Sequence, residues 1–172
     1  VFTDEEGHLY LHRIQYLKVP DGVEATHYQC REVVRFLREN YLPAINIETN
    51  GIGQFLPALL RQELAKEHLA CSVIEKSAHQ NKVERILGAW EAPLLNGQIH
   101  VHQSILQTPL IQEMQDFNTR GNTHDDGLDA VAGCLLSEPV RLKRQPHFYQ
   151  QRPLLLYDLF FNNICLFFIC HY

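Results

Sequence analysis

The stretch Ala44-Ile45-Asn46-Ile47-Glu48 is a short apolar run that ends in an acid, and it predicts a β-strand. The turn-forming segment Thr49-Asn50-Gly51-Ile52-Gly53 follows it, and apolar residues at helical spacing come next. The apolar positions of that predicted helix are Phe55, Leu56, Leu59, Leu60 and Leu64. A strand, a turn and a helix in this order are typical of an α/β domain.

The rest of the chain continues this alternation. Residues 1–2, a turn at 4–7 and a β-rich segment at 8–19 predict a hairpin. Further strands are predicted at 70–74 and 98–101. Helices are predicted at 24–40, at 82–95, at 106–117 and from residue 123 onward. We therefore predict an α/β fold whose sheet is partly parallel.

Length and composition set limits on the function. The 172 residues suit one domain, and a hydrophobic content of 45% is enough for a core. The net charge of -5 does not provide the broad positive field of a free-standing, tight DNA-binding protein. Any contact with nucleic acid would need metal ions, a local basic patch or an attached domain. Five scattered cysteines without a Cys-x-x-Cys motif predict reduced thiols in a cytosolic protein.

Glu48 lies at the carboxyl end of the predicted strand, where open α/β sheets usually place ligands. Strand alternation puts Glu48 on the same face as Asn46, with Ile45 and Ile47 on the other face. This position suits a metal ligand. The alternative is that Glu48 only ends the strand and accepts hydrogen bonds from the turn at 51–53.

Three more carboxylates occur within five residues at the start of a predicted helix, in Thr123-His124-Asp125-Asp126-Gly127-Leu128-Asp129. Asp129 can share a helix face with Asp125 or Asp126, and such like charges are unfavourable unless a cation binds beside them. Capping is the alternative, because Thr123 and Asp126 have the form of a capping box and first-turn acids complement the helix dipole. Capping explains one acid but does not need three. We therefore predict that the cluster binds a divalent metal ion.

Four segments occur in a characteristic order along the chain. They are Ile47-Glu48-Thr49-Asn50-Gly51, Asn81-Lys82-Val83-Glu84-Arg85-Ile86, Leu95-Asn96-Gly97-Gln98-Ile99-His100-Val101 and His124-Asp125-Asp126-Gly127-Leu128-Asp129-Ala130. Together they resemble the C-terminal nuclease domain of the terminase large subunits of tailed bacteriophages, over residues 1–138. The resemblance implies a ribonuclease-H-like mixed sheet flanked by helices. It also implies a divalent-metal-dependent endonuclease that cuts concatemeric viral DNA during head packaging.

The resemblance further implies two Mg²⁺ or Mn²⁺ ions that support hydrolysis of the phosphodiester bond. Glu48 would be one ligand, and Asp126 or Asp129, helped by Asp125, would be another. Which aspartate binds directly is left open. In such nucleases a strand before these segments carries an aspartate that binds both ions. That residue would precede Val1, so we expect the first ligand to be missing and the site of this chain to be incomplete.

Lys82 and Arg85 are one turn apart on a predicted helix and could contact the DNA backbone near the site. Each has an alternative. Lys82 could belong to a solvated helix face, and Arg85 could pair with an acid of the site and hold it in place.

The partners implied by the resemblance are double-stranded DNA, an ATPase motor domain, a small terminase subunit and a portal, in the cytoplasm of a bacterial host. The chain has no Walker-type motif, so we expect the motor to lie outside it. Two other functions remain possible on the sequence. One is a non-catalytic DNA-binding or assembly remnant of a decayed prophage gene, and the other is a related ribonuclease-H-like resolvase.

We assign residues 1–140 to the nuclease domain and 141–172 to an atypical tail that is first basic and then apolar. The apolar run at 154–170 is almost long enough to span a bilayer, but Asp158 and Asn162-Asn163 would be costly there, so we expect no membrane anchor. The scattered histidines are interpreted as surface or packing residues: His8, His12, His27, His68, His79, His100 and His102.

Overall fold

The structure is a computed structural model that describes residues 1–49, 55–77, 80–119, 124–137, 140–141 and 167–168. The strands within these residues are β1 (Phe2–Thr3), β2 (Leu9–Leu11), β3 (Ala44–Glu48), β4 (Ser72–Lys76), β5 (Ile99–Val101), β6 (Val140–Arg141) and β7 (Phe167–Phe168). The α-helices are α1 (Ala25–Glu39), α2 (Leu56–Lys66), α3 (Lys82–Leu95), α4 (Leu110–Asp116) and α5 (Asp126–Leu136). A 3₁₀ helix, Gln103–Gln107, lies between β5 and α4.

The strands form two small sheets, with the orders β5-β2-β1-β6 and β4-β3-β7. β1 and β2 are antiparallel, which confirms the predicted hairpin, and the other neighbouring strands are parallel. The prediction of an α/β fold with partly parallel pairing is therefore confirmed. The finer assignment to a ribonuclease-H-like fold stays a prediction.

Two hydrophobic clusters hold the elements together. The first joins α1, β3 and α2 and consists of Cys30, Val33, Val34, Phe36, Leu37, Leu42, Ile45, Ile47, Leu56, Leu60 and Leu64. The second joins α3, α4 and α5 to β2 and consists of Leu11, Ile86, Ala89, Trp90, Ile105, Leu110, Leu128, Val131 and Ala132. Asn46 is as buried as Ile45 and Ile47. Both faces of β3 are therefore covered, which is usual for a parallel strand between helices.

Several predicted elements differ from the observed ones. The helix predicted at 106–117 is divided into the 3₁₀ helix and α4. Pro109 disfavours a helical backbone at the residue before it, and Thr108 is extended (φ -95°, ψ 164°). The β-rich segment at 8–19 forms a strand only at Leu9–Leu11, where its pairing with β5 ends. The strand predicted at 70–74 is observed at Ser72–Lys76, in register with β3.

Parts of the chain assigned to the tail also pair with the sheets: Arg141, the second residue of β6, pairs with Thr3 of β1, and β7 adjoins β3. The remainder of the tail, at 142–166 and 169–172, lies outside the described residues, as do Gly51, Gly53 and His79. No disulfide bond joins the described cysteines, Cys30, Cys71 and Cys134. None of the described helices combines the length and the apolar character that crossing a membrane requires.

Candidate functional site

The deepest part of the site is an ion pair between α3 and α5. Arg85 donates from Nε to Oδ1 of Asp129 at 2.7 Å and from Nη2 to Oδ2 at 2.6 Å. The Asp129 side chain is 4% exposed and that of Arg85 is 11% exposed. Arg85 Nη2 also lies 3.2 Å from Oε2 of Glu48, at the carboxyl end of β3. One guanidinium therefore joins two of the predicted metal ligands across three secondary-structure elements.

The outer part of the site is formed by Lys82, which begins α3. Its Nζ lies 2.6 Å from Oδ1 of Asp125 and 2.7 Å from Oδ1 of Asp126. The Lys82 side chain is 37% exposed, so this ion pair meets solvent. The spacing of Lys82 and Arg85 by one helical turn matches the spacing of Asp126 and Asp129 on α5. Two cations on one helix thus face the acids that begin the other.

The ion pairs change the ionisation of both bases. Burial lowers the pKa of Lys82, but its hydrogen bonds to Asp125 and Asp126 outweigh burial and leave that pKa above its ordinary value. The hydrogen bond to Asp129 raises the pKa of Arg85 against the opposing effect of burial, and Glu48 adds to the increase. Both bases therefore remain charged at neutral pH. Four carboxylates and two cations leave the site with a formal charge of -2.

This donor set fits a hard divalent ion, because Mg²⁺ and Mn²⁺ prefer carboxylate oxygens and the site has an excess of negative charge. Glu48, Asp125, Asp126 and Asp129 could hold such an ion. In the described part of the chain, however, the one group of three ligating side chains whose ligand atoms all lie within 4.8 Å of one another is Asp4, Glu6 and His8. The four predicted carboxylates are less tightly grouped, since Lys82 and Arg85 lie between them. A metal ion and these two bases would compete for the same oxygens.

The first turn of α5 is held by side chains from other elements. Asp125 is the N-cap residue, but its side chain makes no capping hydrogen bond. The Leu128 N–H donates instead to Oε2 of Glu113 on α4, at 3.1 Å. The Leu128 carbonyl accepts a hydrogen bond of 3.0 Å from Nε1 of Trp90 on α3. These two contacts fix the direction in which α5 begins, and with it the position of Asp129 one residue later.

Gly127 makes this arrangement possible. A Cβ atom at residue 127 would lie 1.9 Å from the Tyr16 hydroxyl and 2.8 Å from Oε2 of Glu113. The Tyr16 hydroxyl is hydrogen-bonded to Glu113, and burial, followed by the charge of Glu113, raises its pKa well above the ordinary value. The phenol therefore stays neutral. Only a residue without a side chain lets the phenol and the carboxylate approach the start of α5 so closely.

The six predicted site residues are close together in the structure: Glu48, Lys82, Arg85, Asp125, Asp126 and Asp129. Arg85 pairs with acids of the site, which was the alternative to a contact with the DNA backbone. Lys82 is engaged by two aspartates, so it does not belong to a purely solvated face. The predicted capping box of Thr123 and Asp126 begins at Thr123, which lies outside the described residues.

Sequence reasoning missed Tyr16, Glu113 and Trp90, which act on α5 from a distance in the chain. Glu113 is a carboxylate that is 6% exposed on the buried face of α4, which it shares with Leu110, and Trp90 is 4% exposed. The available signal was weak. An acid at a position that helical periodicity predicts to be buried must have a hydrogen-bonding partner, but periodicity does not identify the partner.

We compared the chain with protein-family models, with curated proteins and with solved structures, and none of these matches it.

Proposed function

We propose that the chain is a divalent-metal-dependent DNA endonuclease domain with a ribonuclease-H-like fold, of the kind found in phage DNA-packaging terminases. The observation that supports this most is the convergence of four carboxylates from β3 and α5, with a net negative charge after Lys82 and Arg85 are counted. Glu48 ends β3 and the three aspartates begin α5, and Lys82 and Arg85 offset only part of their negative charge, so a metal cation would be favoured beside them. A bound metal ion would offset the excess negative charge of these carboxylates.

In this proposal Glu48, Asp126 and Asp129 hold the metal ions, and Asp125 contributes to their binding. Bound Mg²⁺ or Mn²⁺ would supply an activated water and stabilise charge on the departing 3′ oxygen. Asp129 is held in place by two hydrogen bonds from Arg85, and its backbone position follows from the contacts of Leu128. A fixed carboxylate loses little conformational freedom when it binds an ion, which favours a defined metal position.

Lys82 is the residue proposed to meet the DNA. Its ammonium is partly exposed at the rim of the site and stays protonated at neutral pH. When an ion neutralises Asp125 and Asp126, Lys82 becomes available to contact a phosphate of the substrate. Arg85 is nearly buried and has the separate role of positioning Asp129 and Glu48. The protein partners of this function would be a motor domain, a small terminase subunit and a portal.

Two measurements test the proposal. The first is Mn²⁺ binding, followed by the loss of the electron paramagnetic resonance signal of free Mn²⁺. The parent chain is expected to bind Mn²⁺, and Asp126→Asn is expected to weaken binding by roughly tenfold or more, since it removes a charged ligand. Glu84→Gln is the matched control, because Glu84 is an exposed acid of α3 outside the site. Equal binding by parent and Asp126→Asn would exclude these carboxylates as the metal site.

The second measurement is nicking of supercoiled plasmid DNA in the presence of Mn²⁺, with Glu48→Ala as the comparison. The proposal predicts nicking by the parent chain and its loss in Glu48→Ala. If both proteins were equally inert, the catalytic function would be wrong for this chain. Mn²⁺ binding without nicking would instead support the alternative of a non-catalytic remnant. That alternative is also favoured by the ion pairs that Lys82 and Arg85 already form with the acids of the site.

A further inference from the structure

Four histidines share one exposed face of the sheet formed by β1, β2 and β5. His8 and His12 flank β2 and alternate with Tyr10, so they project on the same side as that ring. Tyr10 is paired in register with His100 on β5, and the two rings stack at 5.0 Å. His102 lies two residues after His100, directly after the end of β5, and is again on this side. We refer to His8, His12, His100 and His102 as the histidine face.

These histidines form two pairs. The ring centres of His8 and His100 are 5.2 Å apart, and those of His12 and His102 are 5.4 Å apart. Two imidazoles bound to one tetrahedral zinc ion, with Zn–N distances of about 2.1 Å, have ring centres roughly 5 Å apart. The backbone fixes these separations, because β2 and β5 are hydrogen-bonded and the His102 N–H continues the ladder to the Leu11 carbonyl at 2.9 Å.

In each pair one ring is oriented through its Nδ1 atom. His8 Nδ1 lies 3.0 Å from Oδ2 of Asp4. His102 Nδ1 accepts a hydrogen bond from the Ser104 N–H at 3.3 Å and lies 2.8 Å from Oγ of Ser104. The His8 Nδ1–H donates to the Asp4 carboxylate, which leaves the Nε2 lone pair of His8 available, and a hydrogen bond of this kind usually supports a histidine that binds a metal.

Asp4 orients His8 and is not itself the proposed ligand. Its Oδ1 accepts the backbone N–H groups of Glu6 and His8, and its Oδ2 contacts the His8 ring and accepts from the Tyr10 hydroxyl. The close grouping of Asp4, Glu6 and His8 therefore has a local explanation in the turn between β1 and β2. This leaves imidazole nitrogens as the ligand atoms of the face.

We propose that the histidine face binds divalent transition-metal ions such as Zn²⁺, with one ion at each pair. Imidazole nitrogen suits Zn²⁺, Ni²⁺ and Cu²⁺, whereas Mg²⁺ prefers oxygen. The face therefore differs in chemistry from the carboxylate site between α3 and α5. Two protein ligands leave the other coordination positions to water, so each ion is exchangeable. This binding does not depend on the nuclease function.

Calorimetric titration with Zn²⁺ in the presence of excess Mg²⁺ tests the inference, because Mg²⁺ occupies carboxylate sites and leaves imidazoles free. The double variant His8→Gln/His102→Gln removes the oriented ring of each pair, and the glutamine amide introduced at the first position can still donate a hydrogen bond to Asp4. We expect Zn²⁺ binding to weaken by roughly tenfold or more. His27→Gln is the control, since His27 is an exposed ring on α1 outside the face. A folded double variant with the affinity of the parent would overturn the proposal.

A second readout needs no substitution at the face. In the parent chain, Zn²⁺ should shift the imidazole ¹⁵N signals of His8, His12, His100 and His102 and leave that of His27 in place. This measurement decides the question if the double variant fails to fold. Unmoved signals from the histidine face at saturating Zn²⁺ would show that the ion binds elsewhere, for example at thiols.

Discussion

Replacing Arg85 by methionine should greatly destabilise the fold. The variant removes both hydrogen bonds to Asp129, whose side chain is 4% exposed, and leaves its carboxylate near that of Glu48 without a cation between them. Breaking a buried ion pair from one side costs about 3–5 kcal/mol, because the remaining charge is not compensated. This is a large share of the roughly 5–15 kcal/mol that stabilises a typical domain.

The assay is urea unfolding followed by the fluorescence of Trp90, the single tryptophan of the chain, which is buried on α3 beside α5. Arg35→Met is the matched control. Arg35 pairs with Glu32 and Glu39 on the surface of α1, and its side chain is 59% exposed. An exposed pair of this kind contributes about 0–1 kcal/mol.

The double variant Arg85→Met/Asp129→Leu separates burial of a charge from loss of packing. It replaces the pair by apolar side chains, which is often neutral for stability, so it should be more stable than Arg85→Met alone. The reasoning would be refuted if Arg85→Met lost no more free energy of unfolding than Arg35→Met. It would also be refuted if the double variant were less stable than Arg85→Met by the full cost of a second, independent substitution.

Three further predictions concern Lys82, Gly127 and Asp4. Lys82→Gln should tighten Mn²⁺ binding by about fivefold to thirtyfold, because it removes a competing charge worth about 1–2 kcal/mol at this partly exposed site. Unchanged or weaker binding would show that Lys82 and the ion do not compete for the same oxygens. Gly127→Ala should destabilise the protein by about 1–3 kcal/mol through overpacking against Tyr16. In a Tyr16→Ala background, calorimetric unfolding should show that Gly127→Ala lowers the free energy of unfolding by less. Equal losses of free energy in both backgrounds would exclude the contact with Tyr16 as the cause. Burial raises the pKa of Asp4, but hydrogen bonds from His8 and Tyr10 outweigh burial and lower that pKa to about 2, so the stabilisation from Asp4 is complete above about pH 4 and is lost as the pH falls toward 2. The free energy of unfolding, measured from about pH 5 to about pH 2, should therefore decline more steeply for the parent than for Asp4→Asn. Parallel curves would rule out this linkage.

Local patterns in the sequence account for much of the fold. Apolar spacing predicted α3 at its observed bounds, Lys82–Leu95, and the run at 44–48 predicted β3 at its observed bounds. The charge density at 125–129 and the strand-end position of Glu48 also predict one candidate site from the sequence alone, and that site stays a prediction. The predictions of α3 and β3 succeeded because helix and strand periodicity and turn residues are properties of neighbouring residues.

The tertiary structure decided how the charges are arranged. Arg85 and Asp129 are 44 positions apart in the chain, and the packing of α3 on α5 makes them an ion pair. The contact of Tyr16 with the start of α5 and the two histidine pairs arise in the same way, from elements brought together by folding. The sequence by itself determined elements with strong local patterns, such as α3 and β3, and where negative charge accumulates. Only the tertiary structure decided which bases neutralise that charge and which rings face each other, because these depend on distances between residues far apart in the chain.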